Sequence, residues 1–573
     1  NVCFMLKIKS ILVSLLAVAA LASCSKENDE NDSTTQGSNM DVAYMSLRIS
    51  LPSQKANTRA SGELDPEGAE GDIKTLHIVT FDGSKKLVHH SKQSPVIVLQ
   101  GTSLSGSGNS RGTNAIMVSA DTKFLLVVAN PGTKLAARLG SMTSGSSYDA
   151  FNDMVQTALE DPDDKPETLV GEIVDNTKGF TMINAGFYND VSDAWEQGCL
   201  LDVSGNVVVY DGTNYADEDA AKAAAEASGK RATLDIERLS AKVEVSVKDA
   251  SELTVLPEGA TFKFLKWTLD YYNSLFFPFA EKSTTKATHT SAFYKNNFYT
   301  TDPNFVDPDH RNGITLNKVV DRVPNVTWKD ESVRTGSTPK PVVEYCIENT
   351  MSNGDQRFGA ATRVVIKGEY APKGYALGED WFSYAGITYK NLGEIQTAYS
   401  DAKKVLDDRV AEIGGDPTDA MDQAKLEFPV EAKLVEVCDN FLGAVNAALA
   451  PTVIATFAGI EQDTHLDAIG NGGEIVKIAD CIKWYPKSIN YYYYVIRHDN
   501  MDDEYMYFGK YGVVRNNWYS LSLGKVNGAG TPWYPGGGPE DPDPETPIDE
   551  KPGFLAFDIK VAPWVYWQTD FEI

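Results

Sequence analysis

Val565-Tyr566-Trp567-Gln568-Thr569-Asp570-Phe571-Glu572-Ile573 alternates between a mostly apolar set of side chains and a polar set. Successive side chains of an extended backbone point to opposite faces, so this pattern predicts a strand with one face buried. The stretch stands at the end of the sequence, after a segment rich in Pro, Gly and acidic residues, Pro535–Pro552. We therefore expect it to complete a sheet edge, either in its own chain or in a neighbouring molecule. The predicted buried face carries Val565, Trp567, Thr569, Phe571 and Ile573.

The composition is ordinary for a soluble globular protein with room for two or more domains. The chain has 573 residues, of which 42% are hydrophobic and 23% are charged. Its formal net charge of −28 argues against a nucleic-acid partner, because binding to phosphate requires an excess of Lys and Arg.

The N-terminal region has the pattern of a bacterial export signal. Lys7 and Lys9 precede the apolar run Ile11–Ala22, which is short for a membrane span and typical of a secretory signal. The run ends at Cys24, which is placed like the acylated cysteine of a lipoprotein, and a polar stretch follows over Ser25–Asn39. An ordinary cleavage site with a chance cysteine is the alternative. We favour lipidation at Cys24 and expect an exported protein that touches the membrane only through this lipid.

The first structured element is predicted over Val42–Leu51. This stretch also alternates, and Pro52 ends it. A polar loop over Ser53–Gly71 contains Thr58-Arg59-Ala60, where an arginine is accessible to a protease, although most surface arginines are simply solvated. The predicted buried face of the strand carries Ala43, Met45, Leu47, Ile49 and Leu51.

Most of the remaining elements are predicted strands, with helices at Tyr148–Glu160 and Asp217–Ser228. Residues 392–450 differ, because apolar residues recur there at helical spacing on both sides of Gly414-Gly415 and Pro417. This predicts a helical insertion packed on a β domain. The predicted strands are Ile73–Phe81, Phe124–Ala129, Thr233–Val247, Phe262–Leu269, Val342–Glu348, Thr362–Tyr370, Tyr491–Arg497 and Trp518–Val526.

No motif in the sequence supports catalysis or a bound cofactor. The histidines lack metal-binding spacing, and neither a Gly-x-Ser-x-Gly elbow nor a phosphate-binding loop is present. The acidic loop Asp302–His310 contains prolines and favours a solvated turn over a calcium site. The four later cysteines are far apart, which favours isolated buried thiols over disulfides. On a strand, Tyr491–Tyr494 places two rings on each face, of which one pair is expected in the core and the other could bind sugars.

Several stretches of the chain carry a family pattern: the lipidation site at Cys24 and the segments Phe124–Asn130, Ile236–Val243, Tyr345–Thr350 and Tyr511–Tyr519. In these stretches the chain resembles the fimbrillins, the type V pilins of Gram-negative anaerobes, and most closely the shaft subunit of short (minor) fimbriae. The helical insertion at Leu392–Leu449 departs from the family pattern.

The resemblance implies a mainly β protein with two β-sandwich, transthyretin-like domains, a few helices and the helical insertion in the second domain. A signal peptide and lipidation site occupy 1–24, and a propeptide with the removable first strand occupies 25–59. The N-terminal domain covers 60–250 and the C-terminal domain 251–534, with the insertion at about 392–450. An acidic Pro/Gly linker and a C-terminal donor strand occupy 535–573. A second alternating segment that is expected to join the donor consists of Leu555, Phe557, Ile559 and Val561.

The resemblance further implies a lipoprotein precursor that is carried to the outer membrane and cut there by an arginine-specific protease. The matching position is Arg59-Ala60. Loss of the first strand then opens a groove that the C-terminal strand of another subunit fills. The expected partners are other copies of the chain and related anchor and tip subunits, with an unknown ligand on a host or bacterial surface.

Three functions remain open at this point. The first is a structural fimbrial subunit that polymerises by strand exchange and supports adhesion. The second is a tip or accessory adhesin that binds through the helical insertion. The third is a surface lipoprotein that binds glycans through exposed aromatic residues. None of the three is an enzyme, and none requires a cofactor.

Overall fold

The computed structural model describes residues 42–51, 68–88, 96–106, 110–148, 166–184, 187–189, 194–196, 200–273, 278, 316–319, 325–333, 341–448, 456–460, 482–498, 505–534, 543–550 and 555–563. Within these residues the protein is mainly β, as the sequence predicts. The predicted helix at Tyr148–Glu160 and the acidic loop Asp302–His310 fall almost wholly outside them.

In its described residues, the first half of the chain contains short strands and three helices. The helices are α1 (Thr133–Gly140), α2 (Pro166–Ile173) and α3 (Glu218–Glu226). The strands are β1 (Val42–Met45), β2 (Leu47–Ser50), β3 (Thr75–Phe81), β4 (Leu87–Val88), β5 (Val96–Gln100), β6 (Ser110–Gly112), β7 (Ile116–Ser119), β8 (Phe124–Ala129), β9 (Met182–Asn184), β10 (Phe187–Asn189), β11 (Ala194–Glu196), β12 (Leu201–Asp202), β13 (Val208–Tyr210) and β14 (Ala232–Arg238).

Two sheets of this half enclose a common apolar core. One has the order β13-β1-β7, and the larger one runs β4-β3-β8-β9-β14-β2-β6, with β5 and β12 paired at its side. Alternate residues of β3, β8 and β14 point into the apolar core that β1 and β2 also fill. The opposite face of β3 and β8 packs on α1. The β1–β2 segment thus belongs to both sheets.

The second half contains longer strands and the helical insertion. Its helices are α4 (Leu392–Ile413), α5 (Pro417–Glu427) and α6 (Pro429–Ala448). Its strands are β15 (Ser240–Val247), β16 (Thr254–Val255), β17 (Thr261–Asp270), β18 (Tyr272–Asn273), β19 (Leu316–Asn317), β20 (Val343–Ile347), β21 (Arg363–Ala371), β22 (Trp381–Tyr384), β23 (Ile387–Tyr389), β24 (Lys483–Tyr485), β25 (Ile489–Val495), β26 (Asn517–Val526) and β27 (Leu555–Pro563).

A β-sandwich forms the core of the second half. A five-stranded sheet, β16-β26-β15-β20 with β27 on the other edge of β26, packs on the three-stranded sheet β17-β21-β25. The apolar layer between them includes Val243, Trp267, Ile366 and Leu521, all fully buried. This arrangement has the packing expected of two sheets with alternating inward and outward residues.

The helical insertion packs on a small sheet, as predicted. Asn391 caps α4 by accepting a hydrogen bond from the Glu394 amide, and α4 ends at Gly414, whose φ of 67° favours glycine. The apolar faces of α4 and α6 bury Phe382 and Trp484 of the sheet β23-β22-β24. The separate helix α5 was not predicted.

Two predicted strands are each divided between sheets. The predicted strand Thr233–Val247 is β14 and β15, which belong to different sheets and meet at Leu239. The predicted strand Val42–Leu51 is β1 and β2, which meet at Ser46. Periodicity does not reveal the junction at Ser46, because the alternation continues through it. At Leu239 the apolar positions shift by one residue, from Leu234 and Ile236 to Ala241 and Val243, a signal that the prediction of a single strand missed. The domain boundaries at 250/251 and 534/535 stay predictions.

Candidate functional site

The first strand segment occupies a central position in both sheets that it enters. β1 lies between β13 and β7, with Ala43 opposite Val209 and Val118. β2 lies between β14, to which it is parallel, and β6, to which it is antiparallel. We call the space filled by residues 42–51 the strand slot. Both of its sides are backbone edges, so an empty slot would expose unpaired N–H and C=O groups on both sides.

One face of the segment fills the apolar core of the first half. The five residues predicted for the removable strand lie on this face and are all buried: Ala43, Met45, Leu47, Ile49 and Leu51. They pack against residues of β3, β7, β8 and β14. Their burial agrees with the predicted alternation, and their removal stays a prediction.

The opposite face of the segment is also covered, which the sequence analysis missed. Tyr44 is 1% exposed and Ser46 is fully buried, because α3 lies across them. The Ser46 hydroxyl donates to the backbone carbonyl of Ala225 at 2.7 Å. The signal was the small-residue spacing of Ala221 and Ala225, which lets the helix approach the strand closely. Only Arg48 is exposed on this face, with Ser50 half-buried.

The Tyr44 hydroxyl donates a hydrogen bond to the carboxylate of Glu218 at the start of α3. Burial, followed by this bond, raises the pKa of Tyr44, while the bond lowers the pKa of Glu218. Lys222 lies 3.1 Å from Glu218 and 5.4 Å from the centre of the Tyr44 ring. We call α3 the roof of the strand slot and the apolar core on the opposite face its floor. The roof therefore contacts a tyrosine both at its hydroxyl and at its ring.

The segment after the predicted cleavage position is anchored independently of the first strand. Glu70, in a 3₁₀ turn over Gly68–Gly71, lies 2.8 Å from the Lys242 ammonium and accepts a hydrogen bond from the Tyr345 hydroxyl at 2.6 Å. Arg238 donates to the Glu70 carbonyl oxygen at 2.7 Å. These contacts fix residues 68–71 to strands of both halves, β14, β15 and β20.

Residues 543–550, in the C-terminal part of the chain, are held against the second half. Lys510 lies 2.8 Å from Asp549, to which Tyr511 donates a hydrogen bond at 2.5 Å. The Gly359 amide donates to the Pro544 carbonyl at 2.8 Å, and Arg357 pairs with Glu545. Residues 543–550 of the predicted linker are therefore docked on the second half.

The segment Leu555–Pro563 forms β27, antiparallel to β26 of the same chain, with Asn517 opposite Pro563 and Val526 opposite Leu555. It includes four residues predicted for the donor: Leu555, Phe557, Ile559 and Val561. The other donor residues Val565, Trp567, Thr569, Phe571 and Ile573, the lipidation position Cys24 and the cleavage position Arg59-Ala60 lie outside the described residues.

The tyrosines of β25 serve the internal packing of the protein. The Tyr491 ring lies 4.6 Å from that of Tyr534, and the Tyr492 ring 5.7 Å from that of Phe262. Tyr493 packs edge-on against Phe358, and Tyr494 packs on the sandwich core. The packing of the four rings agrees with the structural role that the sequence favours and gives no support to the alternative that one pair binds sugars.

Within the described part of the chain, no group of three or more His, Cys, Asp or Glu side chains is arranged to hold a metal ion. Cys346 and Cys438 are both buried, as the sequence predicts. Among the helices of these residues, none combines the length and apolar character needed to cross a membrane.

Residues 483–570, which include β24 to β27 and the docked residues 543–550, match the family described as "Major fimbrial subunit protein type IV, Fimbrillin, C-terminal". The resemblance to the fimbrillins is confirmed. The match covers the C-terminal part of the sandwich and its edge strand, so the fimbrillin region includes the segment from which the predicted donor emerges. No curated protein matches the chain closely enough to count as a relative.

Solved structures of similar length include a candidate cell adhesion protein from Parabacteroides distasonis, with 11% identity and a TM-score of 0.35, covering 92% of this chain and 98% of that one. The tip fimbrial protein Mfa3 from Porphyromonas gingivalis, with a C-terminal truncation, has 10% identity and a TM-score of 0.33, over 91% and 100%. A fimbrial assembly protein from Parabacteroides distasonis has 17% identity and a TM-score of 0.18, over 56% and 94%. At these scores and identities, none of the three decides the fold or the function of this fimbrillin-like chain.

Proposed function

We propose that the chain is a structural subunit of a cell-surface fimbrium that polymerises by protease-triggered strand exchange and supports adhesion. The observation that carries the proposal is the central position of residues 42–51, with a paired strand on each side and cover on both faces. When a segment that lies between paired strands in two sheets is removed, it leaves a slot of defined length. The apolar core closes one face of this slot and α3 closes the other. Such a slot fits one extended peptide.

In the proposed sequence of events, the precursor is exported, lipidated at Cys24 and carried to the outer membrane. An arginine-specific protease then cuts between Arg59 and Ala60. The first strand leaves with the propeptide, while the Glu70 contacts keep the following segment in place. Cleavage thus empties the strand slot and leaves the contacts of Glu70 beside it intact.

The donor is the C-terminal segment of another copy. Val565–Ile573 enters the slot, and Leu555, Phe557, Ile559 and Val561 carry the donor along the edge of its own sheet, where β27 pairs with β26. Nine strand residues span about 30 Å. Burial of four large apolar side chains contributes on the order of 6–12 kcal/mol before ordering costs. Since this contact is head-to-tail and does not close on itself, it propagates a filament.

Deletion of Val565–Ile573 tests the proposal. The shortened chain is expected to fold with an unchanged circular dichroism spectrum and to form no fibres under the electron microscope. Phe571→Asp is the sharper variant, because one buried carboxylate blocks the donor but leaves the strand slot able to accept a wild-type donor. Glu572→Gln, on the polar face, is its matched control and should assemble normally. Fibres from the deletion variant would refute strand exchange by this segment.

A second candidate function is a tip or accessory adhesin that binds through the helical insertion. The observation that favours it is the exposure of two large apolar side chains around the α5–α6 junction, Leu426 at 82% and Val430 at 73%. The double variant Leu426→Ser/Val430→Ser separates the two functions. If these residues bind a surface ligand, the variant should lose attachment of cells to that surface while fibre length and number stay unchanged. A loss of fibres would place them in assembly instead.

A further inference from the structure

We propose that Val565–Ile573 enters the strand slot of another copy in a single direction and register, with Val565 at the position of Ala43. This inference rests on the proposed function. The donor then runs in the same direction as the first strand that it replaces. The correspondence is Val565 with Ala43, Tyr566 with Tyr44, Trp567 with Met45, Gln568 with Ser46, Thr569 with Leu47, Asp570 with Arg48, Phe571 with Ile49, Glu572 with Ser50 and Ile573 with Leu51.

The floor of the strand slot accepts the apolar set in this register. Every position that Val565, Trp567, Thr569, Phe571 or Ile573 would take is buried in the native segment. Trp567 is larger than Met45, while the next residue on that face, Thr569, is smaller than Leu47. Val565 and Phe571 are also larger than the residues they replace, so this register adds volume that the core must take up by repacking.

The roof decides between registers, because α3 makes specific polar contacts. In the proposed register Tyr566 takes the place of Tyr44, with its hydroxyl at Glu218 and its ring near Lys222. The Gln568 side-chain amide can donate to the Ala225 carbonyl, which accepts the Ser46 hydroxyl in the precursor. The two acidic residues, Asp570 and Glu572, fall at the exposed Arg48 and the half-buried Ser50.

The opposite direction would bury negative charge beneath the helix. It would place Glu572 at the position of Tyr44, against the carboxylate of Glu218. It would also place Asp570 at the position of Ser46, against the Ala225 carbonyl in the last turn of α3. Asp570 there would meet a hydrogen-bond acceptor and the negative end of the helix dipole, while Glu572 would meet the like charge of Glu218.

Neighbouring registers in the proposed direction fail for separate reasons. A shift by one residue turns the apolar set toward the roof. A shift by two toward one end of the strand slot puts Pro563 at Ala43, between β13 and β7, where proline lacks the N–H that a central strand donates. A shift by two toward the other end buries Asp570 at Ser46.

Paired cysteines in isolated fibres test the register. In β14, Thr233 is opposite Arg48 and Asp235 is opposite Ser50, and both side chains are exposed. Neighbouring strands lie about 4.8 Å apart, within the Cα separation that a disulfide spans. Fibres from cells that express each double variant are oxidised and run on a non-reducing gel, with each single-cysteine chain as a control.

Thr233→Cys with Asp570→Cys, and Asp235→Cys with Glu572→Cys, should give disulfide-linked ladders. Thr233→Cys with Gln568→Cys should give none. A ladder from that last pair would overturn the register, and Asp235→Cys with either Tyr566→Cys or Asp570→Cys would then identify reversal or a shift. Thr233→Cys with Glu572→Cys covers the shift toward the other end, in which Glu572 takes the position of Arg48. Fibres that give no ladder with any of these pairs would show that the segment does not enter the strand slot, so that the proposed function fails as well.

A second measurement does not depend on cysteines. Tyr566→Phe removes one hydrogen bond to Glu218 and should speed subunit loss from fibres in denaturant about tenfold. Glu218→Ala, which removes the acceptor, should have a similar effect, and the double variant should be no worse than either single variant, because both remove the same contact. Fully additive effects, or no effect of Tyr566→Phe, would overturn the assignment of Tyr566 to the position of Tyr44.

Discussion

Glu70 and Lys242 form an ion pair at 2.8 Å in which the side chains are only 2% and 3% exposed. Glu70 follows the predicted cleavage position, and Lys242 lies on β15 in the second half of the chain, with its ammonium 4.2 Å from the centre of the Trp518 ring. The pair therefore holds the start of the proposed mature chain against the body of the protein. Cleavage upstream can release one strand and leave the rest of the fold anchored.

Loss of one partner of this pair should be costly. Glu70→Ala leaves the Lys242 ammonium buried without its carboxylate, and we expect a loss of about 3–5 kcal/mol in the free energy of unfolding. Chemical denaturation of the precursor measures it. Glu252→Ala, on an exposed turn, is the control and should change stability by less than about 0.5 kcal/mol. Equal stability of the two variants would show that the pair is not an anchor.

The first strand should stabilise the precursor and have no influence on fibres. Leu47→Ala removes a fully buried side chain from the strand slot, so the precursor should lose about 2–5 kcal/mol. Fibres should resist denaturant as the wild type does, since the altered residue leaves with the propeptide. Arg48→Ala is the exposed control in both measurements. A matching loss of stability in fibres would mean that the first strand is retained.

Arg59→Ala should trap the lipidated precursor. The loop then lacks the arginine that the proposed protease requires, so the strand slot stays filled and assembly stops. Immunoblots of membrane fractions should show the longer chain, and few or no fibres should be visible. Lys55→Ala, in the same predicted loop, is the control. N-terminal sequencing of wild-type fibres that begins at a residue other than Ala60 would move the cleavage site.

The stability of the second half should fall as the pH drops below about 6.5. His498 is fully buried, and its Nδ1 lies 2.8 Å from the Tyr519 hydroxyl, which itself accepts the Val514 amide. Burial lowers the pKa of His498 to about 3. The imidazole stays neutral in the folded protein but takes up a proton in the unfolded chain below pH 6.5. Falling pH therefore favours unfolding.

Between pH 6.5 and pH 5, proton uptake by His498 in the unfolded chain lowers the free energy of unfolding by about 2 kcal/mol. Most carboxylates are still ionised in this pH range. His498→Gln cannot titrate and should show a flatter dependence over the same range in denaturant titrations. His77, whose pKa is also lowered by burial, is present in both chains, so their difference isolates His498. Parallel pH profiles would contradict this role.

The sequence predicted the strands well where one face is buried and the chain stays in one sheet. The strand Phe124–Ala129 has the predicted bounds, and the helical insertion is interrupted at Gly414 as its composition indicates. These features are local, since alternation, helical spacing and glycine at positive φ act within a few residues.

Features that depend on distant elements were not predictable in the same way. Tyr44 and Ser46 belong to a polar-looking face, and only the packing of α3, far along the chain, buries them. The assignment of β14 and β15 to different sheets depends on which strands lie beside each of them. Likewise, the packing of Tyr491 is decided by Tyr534, a residue in another loop.

β27 stays hydrogen-bonded to β26 as far as Pro563, and the proposed donor begins at Val565. If both pairings persist in a fibre, Trp564 is the single residue between a sheet of one subunit and a sheet of the next. A connection of one residue allows little rotation between the two sheets, so the bending stiffness of the fibre would come from the sheets themselves. Tension along the fibre would pass through covalent bonds and load the strand ladders in shear, where all their hydrogen bonds resist together. Mechanical strength would then follow from the shortness of one connection.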